Sequence, residues 1–362
     1  MARRVFAVVV SAVVGLIALA PPASAHTVSG VGATNWRTTI GPVSPPVPGL
    51  RVRVVENGSR LELVNHGPDV VVFGYQGEPY LRVGPAGVFI NTRSPAAYLN
   101  CSRTGCPVPA TADATAAPEW QRFSTGQTVR WHDHRIHWMG QQLPPDVARA
   151  PGVARTEFHW TVTMAQGATA VAATGALTWV PGTSPVPWLA LALVLAAGVA
   201  VARSWRWLAV AAGVVTAVDF AHAVGVAWFW AGGWAVKVAQ LLEGSSYQLP
   251  GWILGALAVR LLLRGRSRGR PAAIIAGASA LVFTGLLDLT VLSRSEAPFA
   301  GSIGLDRVAV AACLGLGLGL VAGGVRLLAA ERVRVDYLDD DDEDGERAPD
   351  AAPAAVVPLA VS

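Results

Sequence analysis

Residues 131–139 read WHDHRIHWM and hold His132, His134 and His137 together with Asp133 and Met139, three of the seven histidines in the chain. Imidazoles at this density suit a borderline divalent metal. On a strand, side chains two residues apart share a face, so a strand over 128–134 would make His132 and His134 a bidentate nitrogen pair. Nitrogen-rich sets fit Cu(II) or Zn(II) by ligand softness and geometry. His137 and Met139 then belong to a second site, or to the same one if the chain bends after Arg135. A plainer reading stands beside this one: Asp133 and Arg135 as salt-bridging charges, with Trp131, Ile136 and Trp138 as core residues. A Met-rich Cu(I) carrier is disfavoured, since only Met139 and Met164 remain once Met1 is set aside.

The start of the chain bears on the same chemistry. Arg3 and Arg4 precede an apolar run over 5–20, then Pro21, Pro22 and Ala23-Ser24-Ala25, the small-residue pattern of a signal peptide spanning 1–25. Cleavage there exposes His26 as the first residue. Its free amine and imidazole form a chelating pair that no internal histidine offers, and they would complete a set with His132 and His134. Isolated His66 and His159 read as structural.

The elements that must position these residues fall in two halves. Residues 26–182 read as an exported β domain. Alternation over 51–56 and 60–64 flanks Asn57-Gly58, the dipeptide of a type I′ hairpin turn. Further strands are expected over 70–75, 80–83, 88–90, 128–134, 156–164 and 173–180. Short strands at this spacing suggest an immunoglobulin-like sandwich. Cys101 and Cys106 bracket a short loop where an exported compartment favours a disulfide. Polar residues in 74–83 and 89–100 line a groove or anchor loops.

From about residue 183 the composition turns apolar, and 183–330 reads as a helical membrane domain. Five crossings are expected, over 186–202, 207–230, 249–263, 271–292 and 307–328, with the third starting earlier near Trp234. Arg203, Arg206, the cluster Arg260, Arg264, Arg266, Arg268 and Arg270, and Arg326 fall on one side. The positive-inside rule makes that side cytoplasmic and the β domain extracytoplasmic. An acidic tail, 331–362, is expected to be disordered and cytoplasmic. Asp219 and His222 share a helix face near mid-membrane, with Asp288 toward the outer end of the fourth crossing. Ionisable groups there are costly and mark either a functional polar site or an interhelical lock. Gly315, Gly319 and Gly323 repeat a GxxxG spacing, which serves bundle packing or dimerisation.

Charge and motifs exclude several classes. The net charge of +4 is not interleaved with aromatics in a soluble domain, so nucleic-acid binding is not expected. No HExxH, GxSxG or Walker loop occurs, and the glycines of 313–324 lie in a membrane segment, so no enzyme is expected.

An exported domain starting with histidine, a last hairpin FHWTVTMAQGATAVAATGALTWV (158–180) and a trailing membrane domain together resemble bacterial copper-resistance proteins that join a periplasmic copper-binding β-sandwich to a membrane portion. The resemblance implies copper as cofactor, with zinc as the other candidate, His26 as a ligand, and metal donor or acceptor proteins as partners besides the lipid bilayer. The family's last hairpin carries an Asp-Gly-His turn. Here Gln166-Gly167-Ala168 stands instead, so His132 and His134 must supply what that turn lacks. The alternative from another class is an anchored envelope protein whose β domain binds a protein or cell-wall partner without metal.

Overall fold

The computed structural model describes residues 31–345, with side chains through Val333. The signal peptide, His26 and the tail beyond 345 lie outside the described residues.

The amino-terminal half is antiparallel β. Strands β1 (Trp36–Ile40), β2 (Leu50–Val55), β3 (Arg60–Asn65), β4 (Val70–Phe73), β5 (Pro79–Gly84), β6 (Gly87–Asn91), β7 (Trp120–Ser124), β8 (Thr128–Trp131), β9 (Arg155–Gln166) and β10 (Thr169–Trp179) form two sheets. One runs β1-β10-β9-β4-β5-β6-β7 and the other β2-β3-β8. Both bury residues in one core: Leu61, Leu63 and Val129 from the small sheet meet Val70, Val72, Val83, Trp160, Val162 and Met164 from the large one. Alternating burial along β4 and over stretches of β9 and β10 shows which side faces in. Two short helices, α1 (Pro95–Leu99) and α2 (Pro145–Arg149), close the loops.

The β2–β3 hairpin forms as expected, but Val55 pairs with Arg60, so its loop has four residues and not two. Glu56, Asn57 and Gly58 all take positive φ there. Strands β1 and β7 escape the sequence pattern because they lie at the two edges of the large sheet and bury little. The expected strand over 128–134 ends at Trp131, which changes the geometry of the histidines that follow.

The carboxyl-terminal half is helical: α3 (Val186–Ala200), α4 (Trp205–Phe229), α5 (Trp234–Gly244), α6 (Leu249–Leu263), α7 (Gly269–Ala280), and α8 (Ile303–Gly345). A π-wound stretch, Leu281–Leu286, prolongs α7. Three helices are long and apolar enough to cross a membrane: Trp205–Phe229, Gly269–Leu286 and Ile303–Val333. The pair α5 and α6, bent by 79°, makes a fourth if counted as one broken span. Helix α3 has 15 residues, roughly 22 Å at 1.5 Å per residue, against about 30 Å of hydrocarbon. Length and composition thus give three to four spans, fewer than the five read from hydropathy.

Helix α3 is held by the glycine stripe of α8. A Cβ on Gly315 would meet the Ala192 carbonyl at 2.3 Å, and one on Gly319 the Ala196 carbonyl at 2.8 Å. The GxxxG spacing therefore serves packing within the bundle. Part of the acidic tail also departs from expectation, since α8 stays helical to Gly345. Glu331 accepts from Trp205 Nε1 at 2.8 Å and pairs with Arg270 at 2.6 Å, which ties the helix to its neighbours at the residue where the sequence predicts disorder to begin.

A seam joins the halves. Thr34 and Glu296 exchange backbone hydrogen bonds at 2.8 and 2.9 Å, Asn35 Oδ1 accepts from the Ser295 amide, and Ser295 Oγ donates to the Val180 carbonyl. Ala33, Trp188 and Ala297 pack on Val291, Leu292 and Val310 beneath. A second contact comes from the hairpin loop, where the Glu56 carboxylate faces the backbone at Ala231 between α4 and α5.

Candidate functional site

The histidine-rich segment is built around Asp133. Its side chain is fully buried and accepts from Trp131 Nε1 at 2.9 Å, from the Arg135 amide at 3.1 Å and from the Arg135 guanidinium at 2.7 and 2.8 Å. By capping the Arg135 amide it starts a 3-10 turn, His134–Ile136, so the chain leaves the sheet immediately after Trp131. Tyr75 holds the other side: its hydroxyl accepts from the His134 amide at 2.9 Å, and its ring lies 5.0 Å below the Arg135 guanidinium. Burial raises the Tyr75 hydroxyl pKa well above its ordinary range, with the Asp133 charge adding to it, so the phenol stays protonated.

This turn separates the histidines. His132 and His137 converge on one acceptor, the Ser59 carbonyl, at 2.9 Å from His132 Nδ1 and 3.0 Å from His137 Nε2. A carbonyl only accepts, so both imidazoles donate, and His132 Nε2 is left to accept from Arg60 Nε at 3.2 Å. His134 turns elsewhere, its ring 6.3 Å from that of Tyr75 and beside Gly105 in the disulfide loop. The shared face expected for His132 and His134 is thus not formed, because the strand that would have aligned them is capped off. Among the described residues no group of three or more His, Cys, Asp or Glu gathers to hold a metal ion. His134 Nε2 is buried without a hydrogen-bond partner, and Met139 is exposed.

The electrostatics follow the burial. His132 is pushed down to about 4 by desolvation and then by the Arg60 charge; His137 is pushed down to about 4 by desolvation and then by Arg103. Both rings are neutral at pH 7. A histidine depressed in the fold binds fewer protons there than in the unfolded chain, so its contribution is complete above about pH 6.5 and is lost as pH falls toward 4. Each ring thereby links folding to the release of a proton, so stability declines as pH falls through this window. Urea midpoints of the intact protein at about pH 7.5, 5.5 and 4.5 should fall stepwise across that window, and His137→Gln should flatten the slope. A pH-independent midpoint would contradict the assigned burial.

Cys101 and Cys106 form the expected disulfide. The residues of 74–83 and 89–100 prove to be anchors. Glu78 Oε1 accepts from Ser94 Oγ at 2.8 Å, Asn91 bonds the Pro79 carbonyl and the Glu119 amide, and Asn100 accepts from the Tyr75 hydroxyl. His66 bonds Gln127 at 2.9 Å, in keeping with a structural part.

A second polar centre lies in the helical half. His222 Nε2 is 3.0 Å from Asp306 Oδ1 and 3.8 Å from Asp288 Oδ2. Asp219 accepts from Trp252 Nε1 at 2.7 Å and from Thr284 Oγ1 at 2.5 Å. The structure therefore brings Asp288 to His222 and adds Asp306. That residue escapes a reading of the sequence because it opens the last helix next to Arg307, where an acid passes for an interfacial charge. Asp219 reaches a different set of partners from His222, so the two are neighbours on a helix face and not a bonded pair.

Compared with protein-family models, with curated proteins and with solved structures, the chain matches none of them. The two centres alone therefore speak to function.

Proposed function

We propose that this is an integral membrane protein of copper handling, in which an extracytoplasmic β-sandwich of immunoglobulin-like kind captures the ion at the end of the domain formed by residues 131–139. The observation that carries the reading is the position of the first described strand. Trp36 stacks on Trp138 with ring centroids 5.9 Å apart, and Thr38 Oγ1 donates to the Ile136 carbonyl at 3.1 Å. The chain that leads back to His26 thus starts from the same end of the sandwich as the histidine segment. From Val31, the first described residue, five residues lead back to His26 and at about 3.4 Å each reach roughly 17 Å when extended.

The ligand assignment is redrawn from the geometry. His26 supplies amine and imidazole, and His134, whose Nε2 has no protein partner, supplies the third nitrogen. Met139 is exposed on the same segment and is available to a reduced ion. His132 and His137 hold the Ser59 carbonyl and shape the site from behind. Zinc fits the nitrogen donors as well, and competition between the two metals is read in the same titration.

Sidedness follows from charge. Helix α8 begins at Ile303, just after the seam at Glu296, and farther along it Glu331 meets Arg270, so the arginine-rich turn between α6 and α7 lies at the bundle end away from the β domain. The positive-inside rule makes that end cytoplasmic, and five membrane segments, with α3 as a short one, place the tail there too.

Cu(II) titration of the full-length protein separates the parts. His134→Gln should weaken binding by about ten-fold or more, roughly 1.4 kcal/mol, whereas His132→Gln should lower stability and leave the affinity of the folded protein near that of wild type. Unchanged affinity in His134→Gln would favour the metal-free reading, an anchored envelope domain that binds a protein or cell-wall partner.

A further inference from the structure

We propose that His222, Asp288, Asp306 and Asp219 form a proton-exchanging site within the helical bundle, loaded and unloaded through Asp288. The copper reading does not use these residues, and the proton site does not depend on it.

One ring nitrogen stands between two carboxylates of unequal exposure. The His222 and Asp306 side chains are 3% and 2% exposed, while that of Asp288 is 17% exposed. Asp288 is therefore the member in reach of solvent, and Asp306 the sealed one. A proton passes from water to the Asp288 carboxylate and from there to His222 Nε2. From Nε2 it crosses the 3.0 Å hydrogen bond to Asp306 Oδ1, which holds it as a carboxylic acid. Each transfer leaves its donor one proton poorer, and release reverses the order.

A structural lock would satisfy its own polar atoms, and this centre does not. His222 Nδ1 is buried without a partner. Gln248, 3% exposed, donates from Nε2 to Thr284 Oγ1 at 3.3 Å, and Thr284 in turn donates to Asp219; the Gln248 Oε1 atom is left without a donor. An orphaned polar atom at this depth costs several kcal/mol. One lies in each hydrogen-bonded set on this helix face, at His222 beside Asp306 and at Gln248 beside Thr284 and Asp219, so neither set is closed as a lock would be.

The backbone is broken at the same level. Gln248 sits at the 79° bend between α5 and α6, Thr284 lies in the π-wound stretch, and Asp288 precedes the 3-10 turn Leu289–Leu292. Interrupted helices inside a bundle are tolerated where they line a polar path. The remaining groups around the centre are Cys313, 4.0 Å from Asp219 Oδ1, the Phe299 ring stacked on His222, and Arg307. Arg307 turns its guanidinium to the Val291 and Arg294 carbonyls.

The test is infrared difference spectroscopy of the full-length protein in lipid vesicles as pH is stepped from about 8 to about 5, the range in which a histidine-linked relay operates. A protonated-carboxyl band should grow reversibly, shift in deuterium oxide, and vanish in Asp306→Asn. Asp288→Asn should slow its appearance by about ten-fold or more, as expected for loss of a proton-transfer group. Should Asp306→Asn fail to fold, the wild-type band and its rate in Asp288→Asn decide the matter. No titrating carboxyl band in wild type, or a band of unchanged rate in Asp288→Asn, would overturn the proposal.

Discussion

Replacing Asp133 by alanine is expected to destabilise the β domain by about 3–5 kcal/mol, the cost of stripping one partner from a buried ion pair. The carboxylate is fully enclosed and serves three donors at once: the Trp131 indole, the Arg135 amide and the Arg135 guanidinium. Its removal leaves a guanidinium with only 18% of its side chain exposed and no counter-charge. The two Phe73 carbonyl contacts at 3.3 Å cannot replace it, since a neutral acceptor does not cancel the charge. Loss of the cap also frees the 3-10 turn, so His134 and His137 lose their fixed positions together. Arg135→Met in the same background should recover much of the loss, because it removes the unpaired charge and keeps the volume. Chemical denaturation of the three proteins checks this; an Asp133→Ala variant within about 1 kcal/mol of wild type would show that the network carries little energy.

Gly319→Leu is expected to detach α3 from α8 and lower bundle stability by more than about 3 kcal/mol, the upper range of overpacking costs. The reason is that the obstacle is backbone. A Cβ at Gly319 meets the Ala196 carbonyl at 2.8 Å and its Cα at 3.2 Å, and the helices must separate to admit a side chain. Gly315→Leu should act alike, because its Cβ would stand 2.3 Å from the Ala192 carbonyl. The control is Gly198 in α3, where nothing lies within 4 Å. Gly198→Ala should be neutral or stabilising by roughly 0.5–1 kcal/mol from helix propensity alone. Thermal unfolding of the full-length protein in detergent reads the loss: a Gly319→Leu midpoint equal to that of wild type would mean that α3 contributes little to the bundle.

What can be read from sequence depends on how local its cause is. Strands β9 and β10, and the hairpin of β2 and β3, declare themselves by alternation that their own residues carry. Apolar helices do the same by hydropathy. Edge strands β1 and β7 bury no side chain fully and leave no such trace. The histidine segment misleads for a definite reason: Asp133 caps a turn through a contact at i+2, and the strand pattern before it gives no sign of where alternation stops. The imidazoles are visible in the sequence, but the sharing of the Ser59 carbonyl by His132 and His137 depends on a hairpin loop more than 70 residues away. Asp306 is hidden likewise, because its partner His222 is 84 positions distant. Sequence spacing ranks polar residues by neighbours along the chain, whereas burial and pairing are decided by neighbours across it.

The most direct test of the copper account is a Cu(II) titration of the full-length protein in two forms, one beginning at His26 and one with a single residue placed before it. The account predicts that the extended form binds at least about a hundred-fold more weakly, roughly 2.7 kcal/mol, because the amine and imidazole of the first residue no longer chelate together. Equal affinity in the two forms would contradict it.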